Sequence, residues 1–130
     1  MFEPDFVTSK TDGIVISACQ AFNEEDHLCS YYLRIENDSA DKIQILGKDL
    51  NLTDSFGNNY LQSGVGFKGE IPELNPGEYF EFEEEMPALQ GSAVLYGTCR
   101  IIKEGFHQIK NIQIPALELW NDKSVPLILN

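Results

Sequence analysis

Apolar and polar side chains alternate with a period of two through most of this chain, and that period restricts it to β-structure. In residues 29–36, Cys29, Tyr31, Leu33 and Ile35 fall on one side and Ser30, Tyr32, Arg34 and Glu36 on the other, the pattern of a strand buried on one face. Asn37-Asp38 ends the run with a turn signal. Ile14, Ile16 and Ala18 keep the same period before it. Ile43 and Ile45, then Leu50 and Leu52, keep it after, and Thr53 to Asn59 supplies the next turn. Phe80 and Phe82 alternate with Tyr79, Glu81 and Glu83, and segments 92–102 and 112–119 are rich in β-branched and aromatic residues between Gly and Pro. The pattern predicts an all-β antiparallel sandwich or barrel of seven to eight short strands. Helix signals are limited to 20–28, around Glu24-Glu25-Asp26, and 85–91, with room for one turn each.

A chain of 130 residues, 42% hydrophobic, fills one core and not two. The expectation is one domain over 1–130, with its core at about 12–120 and a C-terminal extension at 121–130. That extension carries Val125-Pro126-Leu127-Ile128-Leu129, which either packs back on the body or meets a neighbouring subunit. With the exposed edges of a sandwich, it makes a homodimer plausible. No apolar run approaches the roughly 18 to 20 residues of a membrane span. Met1-Phe2-Glu3-Pro4-Asp5 lacks the basic and apolar regions of a secretory signal, so the expected location is cytoplasmic. Cys19, Cys29 and Cys99 lack CxxC spacing and are expected reduced and mostly buried. The sequons at Asn37 and Asn51 then carry no meaning.

Charge narrows the function. Nine basic residues against 21 acidic ones leave a net charge of -12, which excludes general nucleic-acid binding. Residues 70–85 hold seven Glu and no Lys or Arg. Such a run reads as a solvated face that keeps an exposed strand from pairing, as a dock for a basic protein, or as a loose divalent-cation site. Alternation puts Glu81 and Glu83 on one face about 7 Å apart, which does not converge on one ion. No metal site is assigned. His27 and His107 stand outside any ligand spacing. A Cys99–His107 dyad lacks a third group and an oxyanion hole, so no catalytic residue, cofactor or enzyme activity is expected. Tyr32 and Tyr79 fall on polar strand faces, as binding anchors or as simple surface packing.

Gly64-x-Gly66-x-x-Gly69 has the spacing of a dinucleotide loop, which works only where a strand turns into a helix. Pro72 and then Asn75-Pro76-Gly77 follow before another strand, so no helix opens and a Rossmann site is excluded. The glycines then either permit a bulged hairpin or form a nest of backbone amides for an anion, with Lys68 adding charge.

Several of these features occur in a fixed order: Ile35-Glu36-Asn37, Leu52-Thr53-Asp54 with Gly57, then Gly64 to Pro72. Leu74-Asn75-Pro76-Gly77-Glu78-Tyr79-Phe80 follows, then Gly91, Tyr96 and Ile112 to Leu119. The order resembles the ApaG family, also called CorD. That resemblance implies a sandwich like fibronectin type III or immunoglobulin domains. It also implies a bacterial role in cobalt tolerance and magnesium homeostasis, and protein binding in the eukaryotic proteins that carry similar domains. The chain departs from the family pattern where an Arg-His-Trp run is replaced by Gly47-Lys48-Asp49-Leu50, and where Tyr-Thr-Ser-Gly is replaced by Phe82-Glu83-Glu84-Glu85. The resulting expectation is a non-catalytic protein-interaction module. Its contact region is drawn from Gly64, Gly66, Lys68, Gly69, Glu70, Tyr79, Glu81 and Glu83, and its partner is unidentified. The alternative is weak binding of a divalent cation, a phosphate or a nucleotide.

Overall fold

Asp12 and Gly13 both sit at positive φ, 52° and 82°, the geometry of a two-residue hairpin turn that follows the twist of its strands. They join β1 (Val7–Thr11) to β2 (Ile14–Asn23), with Thr11 opposite Ile14. β3 (Leu28–Asn37), β4 (Ile43–Asp54), β5 (Asn59–Val65), β6 (Glu73–Leu74), β7 (Tyr79–Glu85), β8 (Ser92–Lys103) and β9 (Ile109–Trp120) complete the chain order. The computed structural model describes residues 6–23, 28–65, 69–85 and 92–120, with the backbone alone at 22–23, 28–29, 62–65 and 120. Among them there is no helix.

The strands form two antiparallel sheets, one ordered β1-β2-β3-β7 and the other β5-β4-β8-β9, with β6 pairing to β4 beyond the end of β5. Ile14, Ile16 and Ala18, Tyr31, Leu33 and Ile35, and Phe82 come from the first sheet. They meet Ile43, Ile45, Leu50, Leu52, Leu95, Ile101, Ile112 and Leu119 from the second in one buried cluster. The architecture is a fibronectin type III-like β-sandwich. Each buried aliphatic side chain stabilises it by about 1.5–3 kcal/mol relative to exposure.

Nine described strands replace the expected seven to eight. β1, β5 and β6 carry little apolar periodicity and escape the pattern, although Asp12-Gly13 is a hairpin signal in its own right, and the runs at 43–45 and 50–52 prove to be one strand, β4. The helical turn expected at 20–28 is strand at 20–23 and again at 28, because β2 and β3 stay in register from Ile14↔Asn37 to Asn23↔Leu28. Long-range pairing there outweighs local composition. Glu85 likewise ends a strand. Residues 24–27, with His27, residues 86–91 and the extension at 121–130 lie outside the described residues.

The buried side chain of Asn37 ties the two sheets together at one end. Its Nδ2 donates to the carbonyls of Asp41 (2.8 Å) and Leu74 (3.0 Å), and its Oδ1 accepts from the Ser39 amide (3.0 Å) and hydroxyl (2.6 Å). Its backbone amide donates to the Glu78 carbonyl at 2.9 Å, and its own carbonyl accepts from Gly77 at 2.7 Å. A buried amide is tolerated because every polar atom has a partner. The Asn37 sequon is therefore a structural fixture, closed to any modifying group.

Candidate functional site on the outer face of the four-stranded sheet

β7 is an edge strand, paired only with β3. Its alternation sends Phe80, Phe82 and Glu84 inward and leaves Tyr79, Glu81, Glu83 and Glu85 on the outer face. β3 adds Tyr32, Arg34 and Glu36 to that face through the pairs Tyr32↔Glu83, Arg34↔Glu81 and Glu36↔Tyr79. The guanidinium of Arg34 lies 3.9 Å above the ring of Tyr79 and its Nη2 is 3.2 Å from Glu36 Oε1. Tyr79 remains 49% exposed beneath it. Phe6 meets Tyr32 edge-on, ring centres 5.9 Å apart.

The acidic strand is knitted to its neighbour by hydroxyls. The Tyr32 hydroxyl donates to Glu81 Oε2 at 2.5 Å, the Ser30 hydroxyl to Glu83 Oε2 at 3.4 Å and the Tyr31 hydroxyl to Glu84 Oε1 at 2.6 Å. The first two bonds are diagonal across the register, the third is between facing residues, and both distances are within reach of these side chains. Burial first, and then the Glu81 carboxylate, push the Tyr32 phenol up to about 12. Burial, with Glu84 adding to it, pushes Tyr31 further in the same direction. Cys19, opposite Tyr32, is a buried free thiol, raised by burial and then by Glu83.

The residues picked from sequence divide between the two sheets. Tyr79, Glu81 and Glu83 share the face just described. Gly64 belongs to β5 of the other sheet, opposite Lys48. Gly69 stands in an exposed turn at φ 86°, with Glu70 exposed after it, and Gly66 and Lys68 lie outside the described residues. After Gly69 the chain runs along β4, where Ile45 donates to the Pro72 carbonyl at 2.9 Å, and continues into β6. Among the described residues no helix follows Gly69 to receive a phosphate.

Arg34, Glu84 and Lys48 were not singled out from sequence as site residues. Arg34 was visible as an outward residue, but its stack on Tyr79 depends on β3 pairing with β7, which no local pattern encodes. Lys48 is turned inward by a bulge at Leu46 in β4, where Ile45 pairs with Ile101 but Gly47 with Arg100. It is buried, with its Nζ 4.5 Å from the centre of the Phe82 ring, a cation over an aromatic face. Cys99 is also buried in the core and its thiol is pushed up to about 12 by burial. His107 lies in the exposed turn between β8 and β9, so the two are not brought together.

The concavities are open ones. A groove of about 250 Å³ runs beside Lys42, Glu73, Lys103 and Phe106, where Lys42 Nζ meets Glu73 Oε2 at 2.8 Å. Another of about 440 Å³ lies beside Tyr96, Gly97, Asn111 and Gln113. Among the described residues no three His, Cys, Asp or Glu side chains converge as metal ligands, and no helix is long and apolar enough to cross a membrane.

Residues 18–103 match the ApaG domain family. Protein ApaG of Mesorhizobium japonicum is 31% identical over 99 residues, covering 75% of this chain and 74% of its own. Protein ApaG of Beijerinckia indica is 30% identical over 100 residues, covering 77% and 70%. Among solved structures, a structural-genomics target determined by X-ray crystallography superposes with a TM-score of 0.78 at 19% identity, over 88% of this chain and 92% of its own. A Bordetella pertussis protein described as ApaA does so with a TM-score of 0.70 at 20% identity, over 90% and 94%. At that identity the likeness concerns the fold.

Proposed function

The chain belongs to the ApaG domain family, and from that premise we propose that it is a non-catalytic binding module whose outer β3–β7 face takes a basic segment of another protein. The observation that carries this reading is the half-exposed ring of Tyr79, stacked under Arg34, on an outer face that also holds Tyr32 and four carboxylates, Glu36, Glu81, Glu83 and Glu85. Exposed aromatics serve as anchors at protein interfaces, and a surface on which carboxylates outnumber the one cation, Arg34, draws positive charge and sets its orientation. An open face suits an extended partner, whereas small molecules are taken into enclosed clefts. Arg34 stacked on Tyr79 and the hydroxyls on Glu81 and Glu83 pre-order the face, which reduces the entropy cost of binding. The same hydroxyl bonds favour a protein over a divalent cation, whose ligands would have to leave them and converge on one point.

The test is a titration with a lysine-rich peptide followed by amide NMR shifts. The shifts are expected at residues 32–36 and 79–85 and not along β5, weakening as salt is added. Glu83→Lys with Glu85→Lys should lower the affinity by about tenfold or more. Shifts centred elsewhere, or an unchanged affinity in a variant that still melts like the parent, would remove this face from the function.

A further inference from the structure

The outer face of the five-stranded sheet lies on the opposite side of the sandwich from the β3–β7 face, and its chemistry differs. β8 and β9 pair as Leu95↔Leu117 and then as Gly97↔Ile114, so Tyr96 alone faces Pro115 and Ala116. One residue against two is a β-bulge, which bends the strand, re-aims side chains and recurs beside functional sites. The open groove of about 440 Å³ lies on this bulge. Gly97 and Ala116, which carry at most a methyl group, leave the room for it. Tyr96 stands beside them 40% exposed, and Thr98, Gln113 and Asn111 continue the lining. Thr98 faces Gln113 across the strands, and Asn111 lies two residues from Gln113 on the same face. Among the described residues, no hydrogen bond or ion pair within the chain takes the side chains of Tyr96, Thr98, Asn111 and Gln113.

We propose that this groove binds a neutral oligosaccharide. In a chain with nine basic and 21 acidic residues, no Asp, Glu, Lys or Arg lines it. A phosphate or carboxylate would therefore meet no cation in it. Arg100, next along the face after Thr98, is held by Asp49 at 3.5 Å. The groups that are present match a sugar. Each amide, of Asn111 and of Gln113, offers two donors and an acceptor at one planar end, and the hydroxyls of Tyr96 and Thr98 do both. Sugar hydroxyls also donate and accept, and they bring no charge. The ring of Tyr96 gives the apolar C–H face of a sugar ring a surface to stack on. A peptide is less well served, because a peptide adds to a sheet through a free strand edge, and the β9 edge is closed here by Ser9 Oγ donating to the Gln113 carbonyl at 2.7 Å. The groove is open, so a chain of sugar units lying across it buries more of itself than a single ring would.

Amide NMR on the full chain tests this, with cellotetraose, maltotetraose, mannotetraose and chitotetraose as probes at millimolar concentration. At least one of them should shift residues 96–98 and 111–116 and leave 79–85 unmoved. Its affinity should hold as salt is added, since no ion pair is formed. Tyr96→Phe keeps the ring and should keep that affinity within about twofold. Tyr96→Leu should lower it by about tenfold and Gln113→Ala by about threefold, each variant being checked by thermal melting to be folded. No shifts with any of the four probes, shifts centred outside the groove, or a response to a neutral Gly-Ser peptide alone would overturn the proposal. So would a Tyr96→Leu variant that binds like the parent, or a Tyr96→Phe variant that loses as much as Tyr96→Leu.

Discussion

The four-stranded sheet keeps one unbroken register from β1 to β7, whereas the five-stranded sheet slips twice, between Ile45 and Gly47 and between Leu95 and Gly97. The regular sheet is tied across its strands by side chains, the hydroxyls of β3 on the carboxylates of β7. The bulged sheet depends on backbone placement. At Gly97, φ is 155° and a Cβ would stand 2.0 Å from the carbonyl oxygen of Asp49. The regular sheet should therefore weaken by small steps as side-chain bonds are removed, whereas the other should not accept a single added carbon at Gly97.

The sharpest way to break that contrast is Gly97→Ala. The clash is with backbone of the central strand β4, which cannot swing aside as a flexible side chain can, and the substitution should cost about 3–5 kcal/mol. Ser17→Ala, at mid-strand in the regular sheet, should cost about 0.5 kcal/mol or less. Urea unfolding of the two variants measures both. If Gly97→Ala unfolds at the parent's midpoint, the close approach of β8 to β4 is wrong.

The same contrast explains what could be read from the amino acids alone. Alternation in β2, β3 and β7 placed Ile14, Ile16, Leu33, Ile35 and Phe82 in the core and Tyr79, Glu81 and Glu83 outside it, because a strand in steady register obeys the period throughout. In β4 the buried positions change phase between Ile45 and Leu50, an odd step that reads as the end of one strand and the start of another. The extra residue at Leu46 lets one strand absorb the step. In β9 the same odd step falls between Ile114 and Leu117, around Pro115, which a bulge accommodates without a ladder hydrogen bond. Lys48 stayed hidden for this reason, since only the bulge turns it toward Phe82. The site was half legible. The face of each residue followed from the period, but the partners of Tyr31, Tyr32 and Arg34 depend on β3 lying beside β7, more than forty residues away in sequence.

A smaller effect tests the side-chain ties directly. Tyr31 is buried and its hydroxyl donates to an inward carboxylate, Glu84, at 2.6 Å. Tyr31→Phe keeps the ring in the core and removes only that bond, which should cost about 1–2 kcal/mol, as for a hydrogen bond to a charged acceptor that water can partly replace. Thermal unfolding of Tyr31→Phe, Glu84→Gln and the two combined should give losses that are not additive. Additive losses would mean that the two groups hold the sheet independently, and the regular sheet would lose its distinguishing feature.

The smallest expected effect has the most specific sign. The folded protein holds the Tyr32 proton more tightly than the unfolded chain, with the phenol at about 12 against an ordinary 10.0. A group whose folded value is raised contributes stability in full below its unfolded value and loses it as pH climbs through the folded one. The Tyr32 contribution is therefore constant below about pH 10 and decays between about 10 and 12. Melting temperatures taken across that interval should fall less steeply in Tyr32→Phe than in the parent. Glu81→Gln, which leaves the burial in place and removes the carboxylate charge, should lie between them. Identical slopes in the parent and Tyr32→Phe would mean that the diagonal bond from Tyr32 to Glu81 contributes nothing, leaving Arg34 on Tyr79 as the interaction that orders the outer edge of this sheet.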